Sequence, residues 1–190
     1  AFLWHRRQLT RLASVFLERA EQQEQSEDWR AAVQSTQQYL RIRPNDGDAR
    51  ARLASAFGAS AQSAGEMEQS IRYYDQAIGL ASGKARLELQ RGQADVFLRL
   101  NRFVPAIEQA GAVLEALPSD RDALRIKAIG MSLQFGRQGS APASEVVRAL
   151  EAAREVNPNH IHLAVVSAEF LRRHASDSQS ADQIMAEVVD

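Results

Sequence analysis

Three prolines stand in matching contexts, Ile42-Arg43-Pro44-Asn45-Asp46, Leu117-Pro118-Ser119-Asp120 and Val156-Asn157-Pro158-Asn159, and they constrain the fold more than any other feature. Proline cannot continue a helix without losing a hydrogen bond and clashing with the preceding turn, whereas the Asn, Ser or Asp that follows can accept the free N–H groups of a new helix. Each site therefore ends one helix and begins another. Leu80-Ala81-Ser82-Gly83 reads as a fourth boundary, with Ser82 in the proline's place. Boundaries at 44, 82, 118 and 158 are separated by 38, 36 and 40 residues. Alternating β-branched runs are absent and good helix formers dominate, so the fold is expected to be all-α.

The intervals hold at other columns. Twelve residues before each boundary stand Ala32, Ser70, Ala106 and Val146; three further back stand Trp29, Met67, Phe103 and Ala143. Five before it stand Tyr39, Ala77, Val113 and Ala153. These columns resemble the tetratricopeptide repeat, with its period of ~34 residues. That family's second helix opens with an aromatic, places a small residue one turn later and another further on, and ends at proline. Trp29, Ala32 and Pro44 match it, as do Phe103, Ala106 and Pro118. Its first helix carries a small residue followed three later by an aromatic, matched by Ala54 with Phe57 and Ala94 with Phe97. Tyr39 departs from the pattern where a small residue is usual, and the unit with Ala143, Val146 and the long turn Gln138-Gly139-Ser140-Ala141-Pro142 is degenerate.

The resemblance implies an all-α, right-handed α-solenoid of antiparallel helix pairs: a lead-in at 1–12, repeats at 13–46, 47–84, 85–120 and 121–160, and a fifth, incomplete pair at 161–190. In that last part Leu163 to His174 reads as one helix, and Ser180 with Gln183 as the capping box of another, interrupted at Asp190. Ala32, Ala54, Ala77, Ala94, Ala106, Ala128 and Ala153 are expected at helix crossings, with Trp29 and Phe103 filling the gaps between pairs.

In this family the first helices line a concave groove. By helical spacing its faces hold Ser14, Leu17, Glu21 and Glu24; Asp48, Ala51, Ser55 and Gly58; Glu88, Arg91, Asp95 and Leu98; and Asp122, Arg125, Ile129 and Ser132. Glu21, Glu24, Ser55, Arg91, Asp95, Arg125 and Ser132 are the candidate partner-binding residues. Arg91 and Arg125 occupy equivalent places, where they would grip a carboxylate or phosphate of a bound peptide. The rival reading pairs them with Glu88, Asp95 and Asp122 as ordinary surface ion pairs. The family's carboxylate clamp for chaperone tails is not supported, because Glu21, Ser55, Asp95 and Ile129 stand in the asparagine places.

Catalytic chemistry finds no foothold. There is no cysteine, no Gly-x-Ser-x-Gly turn and no phosphate loop, since the stretch from Gly136 to Gly139 lacks a lysine. His160 and His162 are too few for a metal site and read as cap and surface residues; His5 and His174 read as surface residues. Glu18, Glu21, Glu24 and Glu27 recur every three residues, but with no apolar pocket to separate their pKa values they read as a solvated helix face. With 23 Lys plus Arg against 24 Asp plus Glu, no field attracts nucleic acid.

The expectation is a non-catalytic scaffold, without cofactor, for a protein or peptide partner; the alternative is a regulatory or substrate-positioning segment of a larger enzyme. The compartment stays open between cytoplasmic and membrane-tethered. Ala1-Phe2-Leu3-Trp4 before His5-Arg6-Arg7 reads as a boundary at a helix start or as the flank of a membrane span upstream, four residues being far short of the ~20 a span needs.

Overall fold

A computed structural model describes residues 2–137 and 139–189, with side chains from 11 to 137 and from 139 to 187. The apolar start, His5, Gln138 and Asp190 therefore fall outside the described residues or side chains. Every regular element described is helical. No helix among the described residues is long and apolar enough to cross a membrane. The chain divides into two compact units, Ala1–Val96 and Phe97–Asp190, within one helix.

The first unit holds α1 (Phe2–Gln25), α2 (Trp29–Ile42), α3 (Gly47–Ser60), α4 (Ala64–Leu80) and most of α5 (Gly83–Arg99). Consecutive helices pack on one another from α1 to α4. Residues 1–12, expected as a lead-in, run from Phe2 without a break into α1. Helix α1 ends in a Schellman motif: the Asp28 N–H donates to the Gln23 carbonyl at 2.8 Å and the Glu27 N–H to that of Glu24 at 3.0 Å, with Glu27 left-handed at φ 58°. The Asp28 carboxylate then caps α2 by accepting from the Ala31 N–H. At Pro44 the chain turns again, and the Asp46 carboxylate accepts from the Ala49 N–H at 3.0 Å to start α3.

Tyr39, the departure from the repeat pattern, has its reason at this turn. Its ring is buried and its hydroxyl donates to the second oxygen of Asp46 at 2.5 Å. That bond, ahead of the cap itself, holds the Asp46 carboxyl below the usual range. Tyr39→Phe leaves the cap one donor short and is expected to lower stability by about 1 kcal/mol in urea denaturation.

Helix α4 opens with a capping box: the Glu66 N–H donates to the Ser63 hydroxyl, while the Glu66 carboxylate accepts from the backbone N–H groups of Gln62 and Ser63, each at 2.9 Å. Those donors, the Ser63 N–H first, lower the Glu66 pKa to about 2. The folded state then binds fewer protons than the unfolded state between pH 4.5 and about 2, so the contribution is complete above that window and lost as the pH falls through it. Glu66→Gln is expected to be less stable than the wild type near neutrality and to converge with it at the acid end, in thermal melts run across the window.

The second unit holds α6 (Phe103–Ala116), α7 (Arg121–Gln134), α8 (Ala143–Val156), α9 (Ile161–Phe170), a π-helical segment (Leu171–Ala175) and α10 (Ser178–Val189). The turn before α6 repeats the Schellman geometry: Arg102 N–H to Phe97 at 2.9 Å, Asn101 N–H to Leu98 at 3.0 Å, and Asn101 at φ 57°. Both left-handed residues stand two positions before the aromatic that opens the next helix. Asp120 caps α7 through the Ala123 N–H. Buried Asn157 closes α8 by donating to the Ala153 and Arg121 carbonyls, and Arg121 donates back to the Val156 carbonyl. His160 caps α9, its Nδ1 accepting from the Leu163 N–H, while His162 is exposed.

The segment read as a helix from Leu163 to His174 is helical throughout, changing to π geometry at Leu171 and stopping at Ser176, left-handed at φ 54°. One expectation about 161–190 is corrected. The cap of α10 is Asp177, which accepts from the Ser180 N–H at 3.0 Å, so Ser180 lies inside the helix. A carboxylate three residues ahead of that N–H is in place to take the bond before a hydroxyl further on.

The alanines expected at helix crossings are all buried. Ala32, Ala54, Ala94, Ala106, Ala128 and Ala153 are 0% exposed and Ala77 is 1% exposed, so none has room for a longer side chain on that face. Trp29 packs against the cluster of Ala32 and Val33 of α2 with Leu53 and Ala56 of α3, and Phe103 is buried at the start of α6.

Candidate partner-binding surface

In the first unit, α1 and α3 bring charged residues of two first helices together. Arg52 reaches from α3 to α1, its Nη1 2.7 Å from Glu24 Oε2 and its Nη2 3.0 Å from Glu21 Oε1. The side chains of Arg52 and Glu24 are about three-quarters buried, while Glu21 stays half exposed. Burial, the largest influence on Glu24, raises its pKa even against the attraction of Arg52, and neighbouring Glu21 adds to the rise. Its other oxygen is shielded and has no hydrogen-bond partner.

The four-glutamate ladder therefore does not act as one solvated face. Glu24 is set apart by burial, correcting the expectation that nothing separates these carboxyls, and Glu27 lies in the turn beyond the helix. Arg52 was missed by sequence reading. No local spacing pointed to it, because the carboxylates lie on α1 and the cation 28 and 31 residues on, in α3.

Ser55, one turn beyond Arg52 on α3, is exposed. Gly58, expected on the same face, is buried beneath Tyr74 of α4 and is not a groove residue. On α5, Arg91 and Asp95 are half-buried and each is engaged by a partner. Glu88 pairs with Lys84 at 3.6 Å on the exposed start of that helix. Buried Gln93, which sequence reading also passed over, donates its amide to Asp75 of α4 at 2.7 Å.

In the second unit Arg125 has a side chain only 17% exposed, with Nη2 3.6 Å from the Asp122 carboxylate. The surface-pair reading thus describes at least one of its contacts. Ser132 donates its hydroxyl to the Ile129 carbonyl at 2.9 Å and borders a small cavity with Phe170 and His174. Ile129, expected on the groove face, is 0% exposed and belongs to the core with Val146, Leu150 and Leu163. His174 is exposed yet not isolated: its ring lies 4.7 Å from Phe135 and 5.0 Å from Phe170, centroid to centroid.

Among the described residues no group of three or more His, Asp or Glu is placed to hold a metal ion. What the geometry offers is a polar, charged surface where Arg52 of α3 meets Glu21 and Glu24 of α1.

Neither a family model nor a curated protein matches this chain. Solved structures do. MamA from residue 41 to its end, from Desulfovibrio magneticus RS-1, superposes with a TM-score of 0.75 at 15% identity, over 94% of this chain and 93% of that one. A structure titled as YrrB, a tetratricopeptide-repeat protein with an unusual peptide-binding site, superposes with a TM-score of 0.67 at 11% identity, over 92% of this chain and 84% of its own. At these identities the likeness is one of fold: the chain has the tetratricopeptide-repeat fold.

Proposed function

We propose, from the tetratricopeptide fold, that this chain is an interaction scaffold whose first-helix faces hold a segment of another protein. Its units would be the repeats 13–46, 47–84, 85–120 and 121–160 and the helix pair begun at 161. The observation that carries the reading is the bridge from Arg52 to Glu21 and Glu24, which ties two first helices together beneath the half-exposed Glu21. A peptide laid across it gains from fixed, oriented charges, because the side chains are already ordered before it arrives. The peptide-binding site named for the YrrB structure supports this kind of partner. Ser55 borders the bridge, and Arg91, Asp95, Arg125 and Ser132 are the further contact residues of the proposal.

The test is capture of partners from a cell extract by the immobilised chain, compared with Ser55→Trp and with Arg91→Ala/Arg125→Ala. Ser55 is exposed, so a bulky side chain there obstructs the surface without entering the core. Loss of captured proteins with Ser55→Trp, at an unchanged circular dichroism melt, is the expected result. Undiminished capture by both variants would remove the first-helix faces from the binding surface.

A further inference from the structure

A second surface, in the Phe97–Asp190 unit, is separate from those faces. Helices α8 and α10 and the π segment enclose a cavity of about 360 Å³, large enough for one bulky side chain and its neighbours. Its floor is largely apolar, with Val147 and Leu150 from α8, Leu171 from the π segment and Ile184 from α10 beside the buried Ser167 of α9. Leu171 and Ala175, the first and last residues of the π segment, both line the cavity.

Its rim is acidic. Arg154 of α8 and Glu187 of α10 close one side with a 2.8 Å ion pair, so the only cation of the rim is already matched. Glu151 and Asp177 remain on the same rim. A second opening, of about 390 Å³, shares Glu151, Arg154 and Glu187 and adds Glu155. Four carboxylates thus surround one guanidinium across the two openings. Glu151 and Glu155 are exposed.

We propose that this notch docks a cationic amphipathic segment of a partner protein, with one large apolar side chain on the floor and adjacent lysine or arginine residues paired with Glu151 and Glu155. Apolar contact supplies the anchor and the surplus negative charge selects the flanks. A neutral or acidic apolar segment would meet the same floor but be repelled at the rim.

The test uses the full chain and a fluorescein-labelled peptide with a Leu-Phe pair flanked by lysines, read by fluorescence polarisation. Its controls are the same pair flanked by glutamates and an all-lysine peptide. The lysine-flanked pair is expected to bind, and to weaken as NaCl is raised from about 50 to about 300 mM. Glu151→Lys/Glu155→Lys is expected to reduce its affinity about tenfold or more, and Ala175→Trp, which fills the cavity, to reduce it as well. Ser55→Trp leaves it unchanged, which separates this site from the first-helix surface. No binding, equal binding of the glutamate-flanked or all-lysine peptide, or indifference to the charge reversal would each overturn the proposal.

Discussion

Ile129→Ala is expected to lower the stability of the chain by about 3 kcal/mol, within the ~2–5 kcal/mol typical of truncating a buried aliphatic side chain. Ile129 is 0% exposed and packs in one cluster with Val146, Leu150, Leu163 and Phe170, contributed by α8 and α9 as well as α7. Truncation removes three carbons from that contact and leaves a void whose lining is shared by three helices, so no single helix can move to fill it. Leu133, one turn further along α7, is 43% exposed. Leu133→Ala is the control, with an expected loss below ~1 kcal/mol. Urea unfolding followed by circular dichroism checks both. Equal small losses would return Ile129 to a surface role and withdraw its assignment to the core.

That position also shows where the sequence stops being legible. The repeat columns could be read because each is buried by one recurring contact: Ala32, Ser70, Ala106 and Val146 are all 0% exposed. Groove positions were placed by the same register, on the assumption that one face of every first helix meets solvent. At Ile129 the assumption fails, because α7 touches α9 as well as α6 and α8, and Ile129 packs in the cluster these helices share. Burial of that kind depends on which helices surround a position, which local spacing does not encode.

The bridge at Arg52 was hidden for a related reason. It lies 28 and 31 residues from the carboxylates it holds, and only the lateral spacing of α1 and α3 makes the reach possible. The π segment had no local signal either, since Leu171-Arg172-Arg173-His174-Ala175 contains no helix breaker. Caps were legible at the proline boundaries, as with Asp46, Asp120 and His160, whereas Asp28 and Ser63, which cap α2 and α4 away from those prolines, were passed over. Asp177 was overlooked because Ser180 offered a competing motif three residues on.

Gly58→Ala and Gly92→Ala are each expected to destabilise the chain by about 1–3 kcal/mol, the reverse of the usual gain of ~0.5–1 kcal/mol when alanine replaces glycine inside a helix. The cause is the buried ring of Tyr74, which α4 inserts between α3 and α5. A Cβ at Gly58 would stand 2.7 Å from the Tyr74 hydroxyl oxygen and 2.9 Å from Cε2. One at Gly92 would stand 2.5 Å from the same oxygen and 3.0 Å from Cε1, the opposite ring edge. Escape from either new methyl drives the ring into the other helix, so the collision cannot be relieved by a rotamer change alone. Gly111, inside α6 with nothing within 4 Å of its added Cβ, is the internal standard, and Gly111→Ala should be stabilising. A double-mutant cycle then isolates the cause. In a Tyr74→Ala background the ring is gone, and Gly58→Ala should change sign and behave like Gly111→Ala. If Gly58→Ala remained destabilising there, the glycine would be required by the backbone of α3 and not by the tyrosine wedged against it.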